Sequence, residues 1–165
     1  MKIRDIVLIG VMSATLTAGK MALSFVPNVE IITLLFIIYS STIGFKRSLI
    51  AAFLFATTEI FLYGFGTWLL GYYIVWPILV MLTSIINRKT ESEYIFAILA
   101  GIYGLLFGMF FAITESFFYG IAYGITYWIS GLPFDIVHGL SNFILVLFLF
   151  KPLKNIISKQ LNLYN

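Results

Sequence analysis

Cysteine is absent from this sequence of 165 residues, and charged side chains are scarce. The absence of cysteine excludes disulfide bonds and thiol chemistry. Charged residues make up 10% of the chain, hydrophobic residues make up 61%, and the mean hydropathy is +1.04. A soluble chain of this length cannot bury so much apolar surface in one core. The composition therefore predicts a membrane protein.

Common enzymatic motifs are absent as well. The chain lacks a phosphate-binding loop, which excludes ATP hydrolysis by this chain, and it lacks the HExxH motif. A single histidine without any cysteine argues against a zinc site. Asp135, His138 and Ser141 are residue types of a hydrolase triad, but residues spaced along one helix cannot supply nucleophile, base and oxyanion hole without partners elsewhere. We expect no enzymatic activity, no metal and no cofactor.

Long apolar segments, divided by charges, glycines and prolines, predict an all-α bundle of about six transmembrane helices in one integral-membrane domain, residues 1–165. A spanning helix needs about 20 apolar residues. The aromatic and glycine-rich stretch 116–131 is expected to form a lid or a short interfacial helix. The six predicted helices cover approximately residues 5–25, 29–43, 48–64, 68–86, 94–115 and 133–150.

Basic residues are distributed unevenly along this predicted topology. If successive helices alternate in direction, nine of the ten lysines and arginines fall on one side, and only Lys20 lies elsewhere. The positive-inside rule makes that side cytoplasmic, with both termini inside. The nine residues are Lys2, Arg4, Lys46, Arg47, Arg88, Lys89, Lys151, Lys154 and Lys159.

Four of the seven acidic residues fall in the opposite, outer half. Ionisable groups at membrane depth cost several kcal/mol unless they face protein or water, so they are candidates for function. Asp135, His138 and Asn142 follow one face of the last predicted helix. Two structural alternatives stay open: Asp135 interacts with the dipole in the first turn of that helix, and His138 and Asn142 make hydrogen bonds between helices. The outer acids are Glu30, Glu59, Glu115 and Asp135.

The third predicted helix carries Glu59 and Tyr63 on one face, above two small residues. Small side chains let a neighbouring helix approach, so the carboxylate and the phenol would face the bundle. Glu59 is therefore a candidate ligand contact. The alternative is an ion pair between Glu59 and Lys20.

Trp68, Tyr72 and Trp76 are spaced four residues apart on the fourth predicted helix. Stacked aromatic rings at this spacing are able to sandwich a flat ring or cover a cation. The alternative is an aromatic belt at the membrane interface.

Small residues also mark helix contacts. The first predicted helix places Gly10, Ala14 and Ala18 on one face with few polar neighbours, which indicates a docking surface for an external subunit. A second stripe of small residues, on the fifth predicted helix, includes Gly101, Gly104 and Gly108. Such stripes are common in any helix bundle.

The chain resembles the S components of energy-coupling factor (ECF) vitamin transporters. The resemblance rests on the six-helix organisation, on "ATLTA" (14–18), on "SFVPNVEIITLL" (24–35) and on "GLPFDIVHGLSNFILVLFLFKPL" (131–153), and it covers essentially the whole chain. It implies a multi-pass subunit of a prokaryotic cytoplasmic membrane that captures a vitamin at its outer face. It also implies docking through Ala14 and Ala18 on a transmembrane T subunit, driven by two ATPase subunits. The nickel and cobalt branch of the family begins with Met-His, whereas residue 2 here is a lysine, so a metal substrate is not expected.

Four acids and one lysine near the expected pocket favour a neutral or cationic ring compound, such as a thiamine-, riboflavin- or cobalamin-like vitamin. Vitamins that bring carboxylates fit less well. The alternative reading is a membrane interaction or assembly protein, or a small channel subunit, without transport activity. The expected pocket residues are Glu30, Glu59, Tyr63, Trp68, Tyr72, Trp76, Glu115, Asp135, His138 and Asn142.

Overall fold

The structure is a computed structural model that describes residues 2–163. Within that range the chain is helical, with no strand, and the prediction of an all-α bundle is confirmed. Leu106 alone separates α5 from α6, so the two together correspond to the fifth predicted helix and the described chain forms six helices. The elements are α1 (Ile3–Ala22), α2 (Ile32–Thr42), α3 (Phe45–Tyr63), α4 (Trp68–Asn87), α5 (Glu93–Leu105), α6 (Phe107–Tyr119) and α7 (Ile121–Leu163).

Within residues 2–163, four helical runs are long and apolar enough to cross a membrane: α1, α4, the α5–α6 run (Glu93–Tyr119) and most of α7 (Ile121–Leu161). The fold therefore has the membrane-helix character that the composition predicts. α2 is apolar but only 11 residues long, and α3 carries Lys46, Arg47 and Glu59. The side of the membrane on which the termini lie stays a prediction.

The largest difference from the predicted helix boundaries concerns residues 116–131. They form neither a separate lid nor a separate interfacial helix. The first four complete α6, Gly120 turns the chain with φ of +89°, and the rest are the opening turns of α7. Pro133 therefore lies inside α7 instead of starting a helix. A straight helix of 43 residues would measure roughly 65 Å, about twice the hydrocarbon thickness of a bilayer.

The core lies around α2, which packs against α3, α4 and α7. Phe36, Ile37 and Ile38 of α2 are fully buried. α7 packs most extensively against α5 and α6, and glycines allow that approach. A Cβ atom on Gly104 would lie 2.8 Å from the backbone of Gly139, so both positions require glycine for the helices to meet this closely. This contact fixes α5 against α7, and α6, which continues from α5, packs on α7 beside the candidate site.

Ion pairs connect the elements at the end of the molecule that carries nine of the ten basic residues. Arg47 binds Asp5 at 2.8 Å and so joins the start of α3 to the start of α1. Lys154 of α7 binds Glu91 of the α4–α5 loop at 3.0 Å. Glu93, at the start of α5, forms a third ion pair at this end. The four remaining acids lie toward the opposite end, as the charge pattern predicts.

Candidate ligand-binding site

A cavity of about 610 Å³ opens at the end of the molecule where α1 and α3 finish and α4 begins. Its volume lies within the range of about 300–1,000 Å³ that is common for small-molecule sites. Charged groups and aromatic rings from five helices and from the α1–α2 loop share the wall. The lining residues are Lys20, Asn28, Tyr63, Trp68, Tyr72, Phe107, Gly108, Phe111, Glu115, Tyr127, Ser130, Gly131, Phe134 and Asp135.

Lys20 is the cation of the cavity, and its charge is already compensated. Its ammonium group binds the carboxylate of Glu59, which is 0% exposed, and donates to the Tyr72 hydroxyl at 3.1 Å. It also lies 4.2 Å from the centroid of the Tyr63 ring. Of the two alternatives for Glu59, the structure therefore shows the ion pair. Glu59 lies behind the wall and acts on the cavity through Lys20.

An aromatic wall is built mainly by α4 and α6. Trp68 and Tyr72 touch edge to face with ring centroids 5.2 Å apart, and Tyr72 meets Phe111 in the same manner at 5.8 Å. Trp76, one turn deeper, does not line the cavity. It is buried and stacks on Phe36 with centroids 5.2 Å apart, so it belongs to the core beneath the cavity.

Two carboxyl groups occupy the wall formed by α6 and α7. Glu115 is 7% exposed and accepts a hydrogen bond from the Thr67 hydroxyl at 2.6 Å. Asp135 is 6% exposed, and its Oδ1 accepts the Gly108 N–H at 3.0 Å. Gly108 lies in the first turn of α6, where backbone N–H groups have no partner within the helix. Asp135 thus caps α6 from a neighbouring helix, and the proposal that it opens its own helix is wrong, because α7 begins 14 residues earlier.

His138 and Glu30 connect α7 to the loop that precedes α2. The His138 imidazole lies 3.3 Å from the Glu30 carboxylate, whose oxygens also accept the backbone N–H groups of Ile32 and Thr33 at the start of α2. Burial by itself raises the pKa of Glu30, but the hydrogen bond and charge of His138 and the hydrogen bonds from Thr33 outweigh it, so this pKa lies below its usual value.

The loop and the start of α2 are each held at one further point on α7. Ser141 donates to the Asn28 carbonyl at 3.0 Å, and Asn142 donates to the Thr33 hydroxyl at 3.3 Å. Asn28 adopts a positive φ of 59° and reaches the cavity wall. The polar face of α7 therefore has two parts: Asp135 lines the cavity, whereas His138 and Asn142 position the loop and α2.

Of the ten residues predicted to bind ligand, five line the cavity: Tyr63, Trp68, Tyr72, Glu115 and Asp135. The other five are polar or aromatic groups buried behind or beneath it. Glu59 holds Lys20, and Trp76 packs in the core. Glu30 and His138 hold the loop, and Asn142 holds the start of α2. No group of three or more potential metal ligands occurs in the described range 2–163.

Several lining residues were missed by the sequence analysis because it begins the last helix at Pro133. Tyr127, Ser130 and Gly131 lie at positions i, i+3 and i+4 of α7, on the face that continues to Asp135. Extending that helical face backward from Asp135 would have found them. Phe107 and Phe111 of α6 also line the cavity, and no polar residue beside them in the sequence indicates it.

The small residues of α1 lie on the outer surface, as expected. Ala14 and Ala18 are exposed, and a shallow apolar groove of about 400 Å³ runs between α1 and α3. Thr17 meets Thr58 across this contact at 3.2 Å. The groove is lined by Gly10, Ser13, Ala14, Thr17, Ala18, Met21, Leu54 and Thr58.

Comparisons with protein-family models, with curated proteins and with solved structures gave no match.

Proposed function

We propose that this chain is the substrate-capture subunit of an ECF-type importer for a small, water-soluble ring compound of the vitamin class that the sequence resemblance implies. The observation that carries the proposal is the cavity: aromatic rings and a few charged groups converge on one end of a bundle of apolar helices. Concave sites with this composition are typical of small-molecule binding.

Binding is favoured over conduction because the core beneath the cavity is packed. Phe36, Phe55 and Val75 are fully buried, and Trp76 stacks between them and the cavity residue Tyr72. A channel subunit would need a polar path through this layer. An assembly protein without a ligand would not need a cavity with two carboxyl groups in its wall.

The proposed partners are a transmembrane T subunit and two ATPase subunits, since this chain has no phosphate-binding loop of its own. The exposed groove of small residues on α1 is the proposed contact with the T subunit, because small side chains allow close helix approach in lipid. The proposed location is a prokaryotic cytoplasmic membrane, with the basic end inside and the cavity facing outward.

Mass spectrometry of small molecules extracted from the detergent-purified protein tests the binding part of this proposal. A ring compound should be recovered in roughly one-to-one ratio with the chain. Tagged protein should also co-purify the T subunit and the ATPase subunits from its native membrane. Recovery of neither a small molecule nor an ATPase would contradict the proposal and favour an assembly role.

A further inference from the structure

We infer that the cavity selects an aromatic organic cation, which places its positively charged edge against the α6–α7 wall. This inference rests on the proposed function to the extent that the cavity receives a substrate, but it does not depend on transport or on partner subunits. It narrows the substrate class from neutral or cationic rings to cationic ones.

The first argument is the balance of charge. Lys20, the cation of the wall, is bound by the fully buried Glu59. The donors to the other two acids are neutral: the Thr67 hydroxyl for Glu115 and the Gly108 N–H for Asp135. Among residues 2–163, neither of these carboxyl groups forms an ion pair, so the cavity carries two acids without a countercharge.

The second argument is the hydrogen-bonding capacity that is left over. The Oδ2 atom of Asp135 is buried and has no hydrogen-bond partner within the described chain. A buried carboxylate with an unused oxygen is unfavourable unless a donor or cation approaches it. A ligand with a positive nitrogen or acidic N–H groups supplies both, whereas a ligand carboxylate would add repulsion.

The third argument is the geometry of the remaining wall. Trp68, Tyr72 and Phe111 present aromatic rings to the same space, and a cation beside aromatic faces is attracted to them. Asp135 is anchored at Gly108, and Glu115 lies seven residues farther along α6, which corresponds to about 10 Å. The two acids therefore lie at two depths, which suits an extended ring compound better than a compact ammonium ion.

Three probes that share one ring separate charge from shape: the 1-methylnicotinamide cation, neutral nicotinamide and the nicotinate anion. Binding to the purified, monodisperse protein is measured by calorimetry and by quenching of tryptophan fluorescence, since Trp68 lines the cavity. We expect the cation to bind most tightly and the anion least. Equal affinities, a tighter neutral or anionic probe, or binding of none of the three would overturn the inference.

Two variants test the wall itself. Glu115→Gln and Asp135→Asn should each weaken binding of the cation by about tenfold to a hundredfold, while nicotinamide binding changes little. Asp135 also caps α6, so Glu115→Gln is the variant that keeps the test valid if Asp135→Asn folds poorly. The matched control is Glu91→Gln, which removes one negative charge at the opposite end of the molecule.

Unchanged cation affinity in Glu115→Gln would contradict the assignment of the wall. The outcome for the proposed function is read separately. If the ATPase and T subunits do not co-purify but the three probes keep the expected order of affinity, the transport proposal is wrong and the cation selectivity is supported. If the T subunit and the ATPase subunits co-purify but the anionic probe binds most tightly, the transport proposal stands and the cation selectivity is wrong.

Discussion

Lys20 is the basic residue on the cavity side of the molecule, and its environment shows how a charge is kept in an apolar chain. The ammonium group has a carboxylate, a phenol hydroxyl and a ring face around it. Removing one member of such a group leaves the others buried without compensation. The pair between Lys20 and Glu59 therefore fixes the end of α1 against α3.

The first prediction concerns this pair. Glu59→Gln should lower the free energy of unfolding by about 1–3 kcal/mol, less than for a fully buried pair because the Lys20 side chain is 24% exposed. Lys20→Met should be at least as harmful, since it leaves the carboxylate of Glu59 uncompensated. The double variant should lose less than the sum of the single losses. Thermal unfolding in detergent measures all three, and strictly additive losses would show that the two residues do not interact.

The residue types at the cavity were partly predictable from sequence. Intramembrane acids and aromatics at helical spacing marked Glu115, Asp135, Trp68 and Tyr72. Their partners were not predictable, because a pairing such as Asp135 with Gly108 depends on how α6 crosses α7. Helical spacing did not separate cavity residues from core residues either. Trp76 has the same spacing as Trp68 and Tyr72 but lies in the core.

At the scale of elements, the loop of residues 23–31 depends on its bonds to α7. Glu30 joins the backbone of α2 to His138. Its pKa in the folded protein is lowered, so ionised Glu30 stabilises the fold above its ordinary pKa of 4.5. That contribution declines as the pH falls below 4.5 and is lost once the pH passes the lower pKa of the folded state.

The second prediction follows from the lowered pKa of Glu30. The apparent melting temperature of the wild-type protein should fall between about pH 5 and about pH 3 by more than that of Glu30→Gln, because the variant has no carboxylate to protonate at this position. Glu91→Gln, at a site that is 71% exposed, serves as the control and should keep the wild-type pH dependence. Parallel curves for wild type and Glu30→Gln would show that this carboxylate does not hold the loop.

The third prediction concerns the crossing of α5 and α7. Gly104→Ala would place a methyl group 2.8 Å from the backbone of Gly139, so we expect a loss of about 1–3 kcal/mol from overpacking. Gly10→Ala is the control, because no atom of a neighbouring element lies within 4 Å of the added carbon. That variant should be as stable as the wild type or slightly more stable, since alanine restricts the unfolded chain. Equal melting temperatures for both variants would contradict the close packing.

Helix boundaries were predictable from the sequence at some helix ends and not at others. The start of α3 and the ends of α4 were predicted to within a few residues, because charged or glycine-containing loops flank them. The start of α7 was missed by 12 residues, since Pro133 and several glycines are usual helix breakers. Here the helix is sustained by packing on α6, where Gly124 approaches Ser116 too closely to accept a side chain.

At the scale of the molecule, the two ends differ in charge. The basic end contains three ion pairs between side chains of opposite sign, and the cavity end contains the four remaining acids. This asymmetry is the basis for orienting the protein in a membrane, because basic loops are retained on the cytoplasmic side.

The fourth prediction tests that orientation. The chain has no native cysteine, so single cysteines report on one site each. In intact cells, Lys46→Cys and Arg88→Cys should resist a membrane-impermeant maleimide, whereas Ser24→Cys in the α1–α2 loop should react. All three positions are exposed and should react after permeabilisation, which is the control. The reverse pattern in intact cells would place the cavity on the cytoplasmic side.

The fifth prediction concerns assembly of the whole transporter. Ala14→Trp and Ala18→Trp would fill the exposed groove on α1 and hold a neighbouring helix away, since close approach in lipid needs small residues. Both variants should lose co-purification with the T subunit and lose uptake, while the isolated chain still binds the 1-methylnicotinamide probe as the wild type does. Ile98→Trp places the same side chain on the exposed face of α5 and should keep co-purification, uptake and probe binding. Normal co-purification of Ala14→Trp and Ala18→Trp would show that α1 is not the docking surface. Loss of co-purification in Ile98→Trp as well would show that a tryptophan anywhere on the lipid-facing surface disrupts assembly.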